Sequence, residues 1–178
     1  MKNFIILHGS FGSKDGNWFP WLKSQITQRG YHCSLAQFPV GGGKQSYKSW
    51  AQAINAFDIN EHTTIFAHSA APIFVVKYLM QNNKKIDKLI AVAGFNALVG
   101  EPNYDEVNST FLMDEIRNFD AHCNNRVCIF ADDDPYVPFA YAEKFADDIC
   151  AEKVIVKGGK HLNTDSGYTK FEKLLEYI

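Results

Sequence analysis

Short apolar runs alternate with longer segments of helical periodicity along the whole chain, and this alternation limits the possible folds more than any other feature. Six runs are predicted to form strands, and they are residues 4–7, 33–38, 63–67, 89–93, 127–131 and 154–156. Apolar residues recur at three- and four-residue spacing in the predicted helices, which are residues 18–29, 47–57, 69–81, 139–150 and 168–178. Strands that are apolar on both faces and alternate with helices indicate an α/β fold. We expect a mainly parallel sheet of about six strands with helices on both faces.

The size and charge of the chain limit its organisation and its partners. The 178 residues are 46% hydrophobic, which suits one domain over residues 1–178 and leaves little room for a large lid. The 18 basic and 20 acidic residues are spread along the sequence and form no basic stripe that would neutralise phosphates. Nucleic acid is therefore not an expected partner, and the sequence carries no signal for an oligomeric state.

The N-terminal apolar run and the cysteines bear on localisation and cofactors. Residues 4–7 are too few for the core of a signal peptide or for a membrane span, so we expect a cytoplasmic protein that does not bind membranes. The four cysteines include no Cys-x-x-Cys pair. The sequence therefore predicts neither a metal site nor a redox motif, and no cofactor is expected.

Polar residues that could take part in catalysis follow four of the predicted strands. Ser10 lies after the first strand, Ser69 after the third, Asp132–Asp134 after the fifth and His161 after the sixth. In open parallel sheets, sites form at the carboxyl ends of the strands. We therefore expect these residues to meet at one edge of the sheet, although they are far apart in the chain.

Ser69 lies at the junction of a predicted strand and a predicted helix. A tight strand-to-helix turn around a serine is the sequence form of a nucleophile elbow, whose usual pattern is Gly-x-Ser-x-Gly. Here the small positions are Ala67 and Ala71, and alanine is the next smallest residue after glycine. The alternative is a serine that only caps a helix or fills a buried position.

A nucleophilic serine needs a base and a group that orients the base. In α/β-hydrolases the chain order is serine, then aspartate or glutamate, then histidine. Ser69, the triplet Asp132–Asp134 and His161 follow this order. Asp134 is the preferred orienting residue because it precedes Pro135, which disfavours a helical backbone at Asp134. Asp133 is the alternative, Asp132 could be merely solvated, and at least one of the three is expected to cap the following helix.

Backbone N–H groups that stabilise an oxyanion usually come from the residue after the nucleophile and from the loop after an early strand. Ala70 is predicted to supply the first donor. Ser10 is predicted to supply the second, with Phe11 as the alternative. The predicted substrate pocket includes Phe11, Trp18 and His8.

At these residues the sequence resembles the small α/β-hydrolases of the retinoblastoma-binding-protein-nine-like family. The resemblance rests on residues 8–9, 17–23, 67–69, 133–138 and 158–161 and covers most of the chain. It implies a minimal α/β-hydrolase fold without a large lid and a catalytic triad of Ser69, Asp134 and His161. Two positions depart from the family pattern, since Ala71 replaces a more usual glycine and Lys160 stands where a glycine often precedes the histidine. The second departure bears on the geometry of the loop around His161.

The residues and the resemblance together predict a serine hydrolase. We expect it to act on small carboxylic esters or amides through an acyl-enzyme on Ser69, with a small molecule as its partner. The alternative is a non-catalytic interaction module on a hydrolase scaffold, which the partner-binding name of the family suggests. A fold by itself does not establish an activity.

Overall fold

Six strands form one parallel sheet in the computed structural model, which describes residues 2–178. They are β1 (Asn3–Leu7), β2 (His32–Ala36), β3 (Thr63–His68), β4 (Ile86–Val92), β5 (Cys123–Ala131) and β6 (Glu152–Val156). Their order in the sheet is β2-β1-β3-β4-β5-β6, and every neighbouring pair is parallel. The prediction of an α/β fold with a mainly parallel sheet of about six strands is confirmed.

Helices connect the strands. They are α1 (Phe19–Gln28), α2 (Tyr47–Ile54), α3 (Ala71–Gln81), α4 (Pro102–Asn108) and α5 (Phe139–Asp148). Helix α4 was not predicted. The predicted helix over 168–178 is wrong, because the structure has instead a 3-10 helix at Glu172–Tyr177. A 3-10 helix also places residues three apart on one face, so the spacing of the apolar residues in this segment fits it as well as an α-helix. Within residues 2–178, no helix is both long and apolar enough to cross a membrane.

The central strands of the sheet are buried on both faces because they are apolar on both sides. In β3, Ile65 and Ala67 pack in the core cluster that contains Phe74 of α3, and Phe66 packs in the opposite cluster with Leu22 of α1. This alternation follows from the two-residue period of a strand. Burying each large apolar side chain contributes about 1.5–3 kcal/mol relative to its exposure. The two core clusters therefore hold the sheet as a rigid support.

The parallel direction of the strands determines where the polar loops lie. In the register of β1 and β3, Leu7 pairs with Ala67, so the loops after both strands begin at the same edge. The loops after β5 and β6 begin at that edge too, since Ala131 pairs with Val156. The sheet thus brings the four predicted polar loops to one edge.

Candidate active site

Ser69 occupies a strained turn between β3 and α3. Its φ is 61°, and its N–H donates to the carbonyl of Val92 at 2.9 Å, which keeps its backbone paired with β4 until the chain turns. A non-glycine residue in this left-handed region costs roughly 1–2 kcal/mol. Ala67 and Ala71 on either side are fully buried. The turn therefore forms with alanine at both positions where the usual pattern has glycine.

The close approach that requires glycine lies in the neighbouring loop at Gly9. A Cβ at Gly9 would lie 2.6 Å from Cβ of Ser69 and 3.2 Å from its Oγ. Folded proteins do not tolerate contacts this short, so one of the two backbones would have to move. Gly9 therefore allows the loop after β1 to pack directly against the serine.

We expect Gly9→Ala to lower kcat/KM for ester hydrolysis by about a hundredfold, because a displacement of about 1 Å at a reacting group has an effect of this size. The matched control is Gly16→Ala, whose added Cβ would come no closer than 3.4 Å, to the carbonyl oxygen of Ser13. The test measures kcat/KM for ester hydrolysis in both variants, and thermal melting shows whether each variant is folded. Full activity in a folded Gly9→Ala variant would show that the approach at Gly9 does not position Ser69.

His161 lies between Ser69 and Asp134. Its Nε2 is 3.1 Å from Ser69 Oγ, and its Nδ1 is 2.8 Å from Asp134 Oδ2. The other oxygen of Asp134 accepts the N–H groups of Tyr136 and Val137 at 2.9 and 3.1 Å. The side chains of His161 and Asp134 are only 9% and 4% exposed. Because an ionised carboxylate only accepts hydrogen bonds, Nδ1 carries the proton and Nε2 is left to accept the serine hydroxyl.

All three aspartates after β5 bind the loop that carries His161. Asp132 Oδ1 accepts the N–H of Gly158, and Asp133 Oδ1 accepts the N–H of Lys160, both at 2.8 Å. Helix α5 has no side-chain cap, so the expectation that one aspartate caps it is wrong. Asp132 is not merely solvated either. These acceptors tie the histidine loop, whose backbone is left-handed at Lys160 with φ of 50°, to the end of β5.

Trp18 and His68 hold the same loop from the other side. Trp18 Nε1 donates to the carbonyl of Leu162 at 3.1 Å, and His68 Nε2 lies 3.0 Å from the carbonyl of His161. Trp18 is fully buried and does not line the cavity, so its prediction as a pocket residue is corrected. Buried carbonyl groups need donors, and the indole N–H supplies one here. Trp18 positions the histidine loop instead of contacting a substrate.

Burial and, to a smaller extent, the neighbouring His161 together lower the pKa of His68 to about 3, against the opposing effects of the hydrogen bond to the His161 carbonyl and of Asp134. The His68 side chain therefore binds a proton near pH 6.5 in the unfolded state but stays neutral in the folded state down to about pH 3. The free energy of unfolding is for this reason unaffected by His68 above pH 6.5 and decreases as the pH falls from 6.5 toward 3. Between pH 7 and pH 5 the loss is about 2 kcal/mol.

We expect His68→Gln to reduce this loss of stability on acidification, since the glutamine amide can still donate to the His161 carbonyl and does not titrate. Urea denaturation of the wild type and of His68→Gln at pH 7 and pH 5 gives, for each protein, the change in the free energy of unfolding between the two pH values. His8, whose pKa burial also lowers, remains in both proteins and cancels from the comparison. An equal loss of unfolding free energy in both proteins would contradict this assignment.

Among the backbone N–H groups near Ser69, those of Ala70 and Ser10 have no partner among residues 2–178. The N–H of Phe11, the alternative donor, lies 3.3 Å from Gln45 Oε1 and is therefore occupied. Phe11 is 44% exposed, and its ring packs edge to face against Tyr104 beside a neighbouring hollow. The structure therefore does not bring Phe11 into the cavity at Ser69.

A cavity of about 330 Å³ opens in front of Ser69 and is large enough for a small-molecule substrate. His8 is among the residues that line it. The Nε2 of His8 accepts the N–H of Phe38 at 3.0 Å, so its proton is on Nδ1, which lies 2.8 Å from the carbonyl of Gly9. His8 therefore holds the loop after β1 in place and is already fully hydrogen bonded.

Several cavity residues were not singled out from the sequence. Tyr136 packs its ring 5.0 Å from that of His161, and Tyr104 and Asn108 of α4 line the wall. The string Asp134-Pro135-Tyr136 already indicated an ordered loop beside the acidic residue, which was a usable signal for Tyr136. Helix α4 has too few apolar residues to be recognised by periodicity, and the sequence offers for Asn108 only its place in the stretch 95–113 after the fourth predicted strand, from which pocket residues could come.

Comparison with known proteins agrees with this arrangement. A model of the serine hydrolase family matches residues 4–178. The chain belongs to the serine hydrolase family. It is an enzyme with a hydrolytic function. The protein YdeN of Bacillus subtilis is 28% identical over 174 residues, which cover 94% of this chain and 90% of that protein.

Solved structures of hydrolases have the same architecture. The crystal structure of the YdeN gene product covers 99% of this serine hydrolase and 96% of that chain with a TM-score of 0.90 and 23% identity. A meta-cleavage product hydrolase of Pseudomonas fluorescens covers 99% and 88% with a TM-score of 0.71 and 12% identity. An extracellular α/β-hydrolase of a Paenibacillus species covers 99% and 98% with a TM-score of 0.66 and 12% identity. The predicted minimal α/β-hydrolase fold is confirmed.

Proposed function

We propose that this serine hydrolase cleaves small carboxylic esters or amides through an acyl-enzyme on Ser69. The observation that carries the proposal is the continuous chain of hydrogen bonds from Ser69 Oγ through the ring of His161 to Asp134, at 3.1 and 2.8 Å. A serine hydroxyl becomes nucleophilic at neutral pH when a histidine accepts its proton. A non-catalytic scaffold would not need this alignment, so the geometry favours an enzyme over an interaction module.

In the acylation step, Ser69 Oγ attacks the substrate carbonyl while His161 Nε2 takes the hydroxyl proton. The C–O or C–N bond of the tetrahedral intermediate then breaks, and His161 gives the proton to the leaving alcohol or amine. Asp134 keeps Nδ1 protonated and stabilises the charged ring. Water then attacks the acyl-enzyme with His161 again as base, which releases the acid and restores Ser69.

The negative oxygen of the tetrahedral intermediate needs fixed donors. We propose the backbone N–H groups of Ala70 and Ser10 for this role, since both are free among residues 2–178 and both lie beside Ser69. The occupied N–H of Phe11 supports Ser10 over the alternative.

Three further parts of the proposal concern the whole chain. We infer a single domain over residues 1–178, which is supported by one sheet with core clusters on both faces. We also infer a place in the retinoblastoma-binding-protein-nine-like branch, on the motifs that surround Ser69, Asp134 and His161. A cytoplasmic location is supported by four cysteines that are all free.

A fluorophosphonate reagent tests the proposed nucleophile, because it phosphonylates only activated serines. We expect labelling of the folded protein on the peptide that contains Ser69, and no labelling of Ser69→Ala. Ser109→Ala is the control, since Ser109 is an exposed serine whose hydroxyl donates to the carbonyl of Glu106. A folded protein that does not react, or that reacts at another serine, would refute the proposed function.

A further inference from the structure

One side-chain donor in the cavity is not used by the proposed mechanism, namely the amide nitrogen of Asn108. Asn108 is the last residue of α4, lines the cavity and is only 2% exposed. Its Oδ1 accepts the Ser10 hydroxyl at 2.5 Å and Gln45 Nε2 at 3.1 Å. Its Nδ2 has no acceptor among residues 2–178, so the donor half of this buried amide is free.

The orientation of the Asn108 amide follows from a backbone group that can only donate. The N–H of Phe11 lies 3.3 Å from the side-chain carbonyl of Gln45, so the Oε1 of Gln45 must face it. Gln45 Nε2 then faces Ser10 Oγ at 2.9 Å and Asn108 at 3.1 Å. Reversing Asn108 alone would place two amino groups against each other. Reversing both amides would place the Gln45 amino group against the N–H of Phe11.

The free Nδ2 of Asn108 faces the cavity. Within residues 2–178, the one fully buried side-chain polar atom without a hydrogen-bond partner is Oδ1 of Asn3, at the opposite end of the sheet. The Nδ2 of Asn108 therefore keeps some contact with solvent. Because Asn108 is otherwise enclosed and forms part of the cavity wall, that contact is with the cavity.

We propose that Asn108 Nδ2 determines specificity by donating a hydrogen bond to an uncharged oxygen of the substrate, apart from the scissile carbonyl. The carboxylates of Glu101 and Asp165 line the same cavity, and its lining residues include no lysine or arginine. These two side chains would repel a carboxylate or a phosphate group on the substrate. The substrate class is therefore esters or amides that carry a hydroxyl, ether or carbonyl oxygen. This inference rests on the proposed function.

Matched substrates test it with a variant that replaces the free donor by an acceptor. Asn108→Asp keeps an acceptor for Ser10 and Gln45 and replaces the Nδ2 donor with an oxygen. The acyl arm compares methoxyacetyl with butanoyl esters of one phenol, and the leaving-group arm compares 2-methoxyethyl acetate with butyl acetate. We expect the ratio of kcat/KM for the oxygenated over the hydrocarbon ester to be about three- to tenfold higher in the wild type than in the variant, in one of the two arms.

The ratio cancels the intrinsic reactivity of the esters, and two further variants guard against other causes. Asn103→Asp adds the same charge to α4 outside the cavity wall and should leave the ratio unchanged. Asn108→Ser removes Nδ2 without adding charge and should lower the ratio in the same arm. Equal ratios in the wild type and both Asn108 variants would overturn the proposal, and so would an equal loss on all four esters.

The fluorophosphonate reaction separates this inference from the proposed function. Labelling at Ser69 together with unchanged ratios would refute the role of Asn108 and leave the hydrolase mechanism in place. Failure of the wild type to label or to hydrolyse any of the four esters would refute both.

Discussion

Ser69→Ala is expected to lower kcat for a small activated ester on the order of a million-fold, because the nucleophile of a serine hydrolase and its base act as one unit. For the same reason, His161→Ala should cost about as much, and the double variant should be little slower than either single variant. The test compares the steady-state kcat of the three variants with that of the wild type. Circular dichroism shows whether each variant is folded. The hydrogen bond of 3.1 Å between the two side chains is the basis of this coupling.

A purely structural role for the two residues would give a different pattern. Their effects on the free energy of activation would then add, as effects do at independent sites, and the double variant would be slower than the wild type by the product of the two single losses. Residual activity of Ser69→Ala within about tenfold of the wild type would also contradict the assignment, since a spectator hydroxyl has effects of only this size.

Asp134→Asn is expected to lower kcat about ten-thousandfold while the fold stays intact. The asparagine carbonyl can still accept the N–H groups of Tyr136 and Val137, so its amino group would face Nδ1 of His161. That contact moves the ring proton from Nδ1 to Nε2, and Nε2 can then no longer accept the proton of Ser69. The loss comes from the wrong tautomer, not from a displaced ring.

Asp133→Asn is the matched control, since it removes the same charge one residue away and keeps an oxygen for the N–H of Lys160. We expect a loss of less than about tenfold, the size of one weakened hydrogen bond. Initial rates with the same ester measure both variants. A larger loss for Asp133→Asn than for Asp134→Asn would show that Asp133 orients the base.

The sequence was sufficient to predict the sheet because its strands are apolar on both faces and have a regular spacing. It was not sufficient for the segment after residue 168, where helical spacing of apolar residues gives a 3-10 helix. Packing of Phe171 and Leu174 against the core requires those residues at a similar spacing in either kind of helix, so the pattern does not distinguish the two.

The placement of Ser69, Asp134 and His161 at one edge could be anticipated because chain order and strand ends determine it. The role of Trp18 could not, since its indole donates to a carbonyl 144 residues away. The amides of Gln45 and Asn108 are 63 residues apart and meet only in the folded chain. Local patterns carry no information about such contacts, which depend on how the loops pack above the sheet.

Mass spectrometry of a reaction stopped with acid detects the proposed acyl-enzyme itself. We expect the intact protein, mixed with an ester whose deacylation is slow, to gain the mass of one acyl group. Proteolysis should place that mass on Ser69, and the adduct should decay at the rate of steady-state turnover. Turnover without an adduct, or an adduct on a residue other than Ser69, would contradict the mechanism.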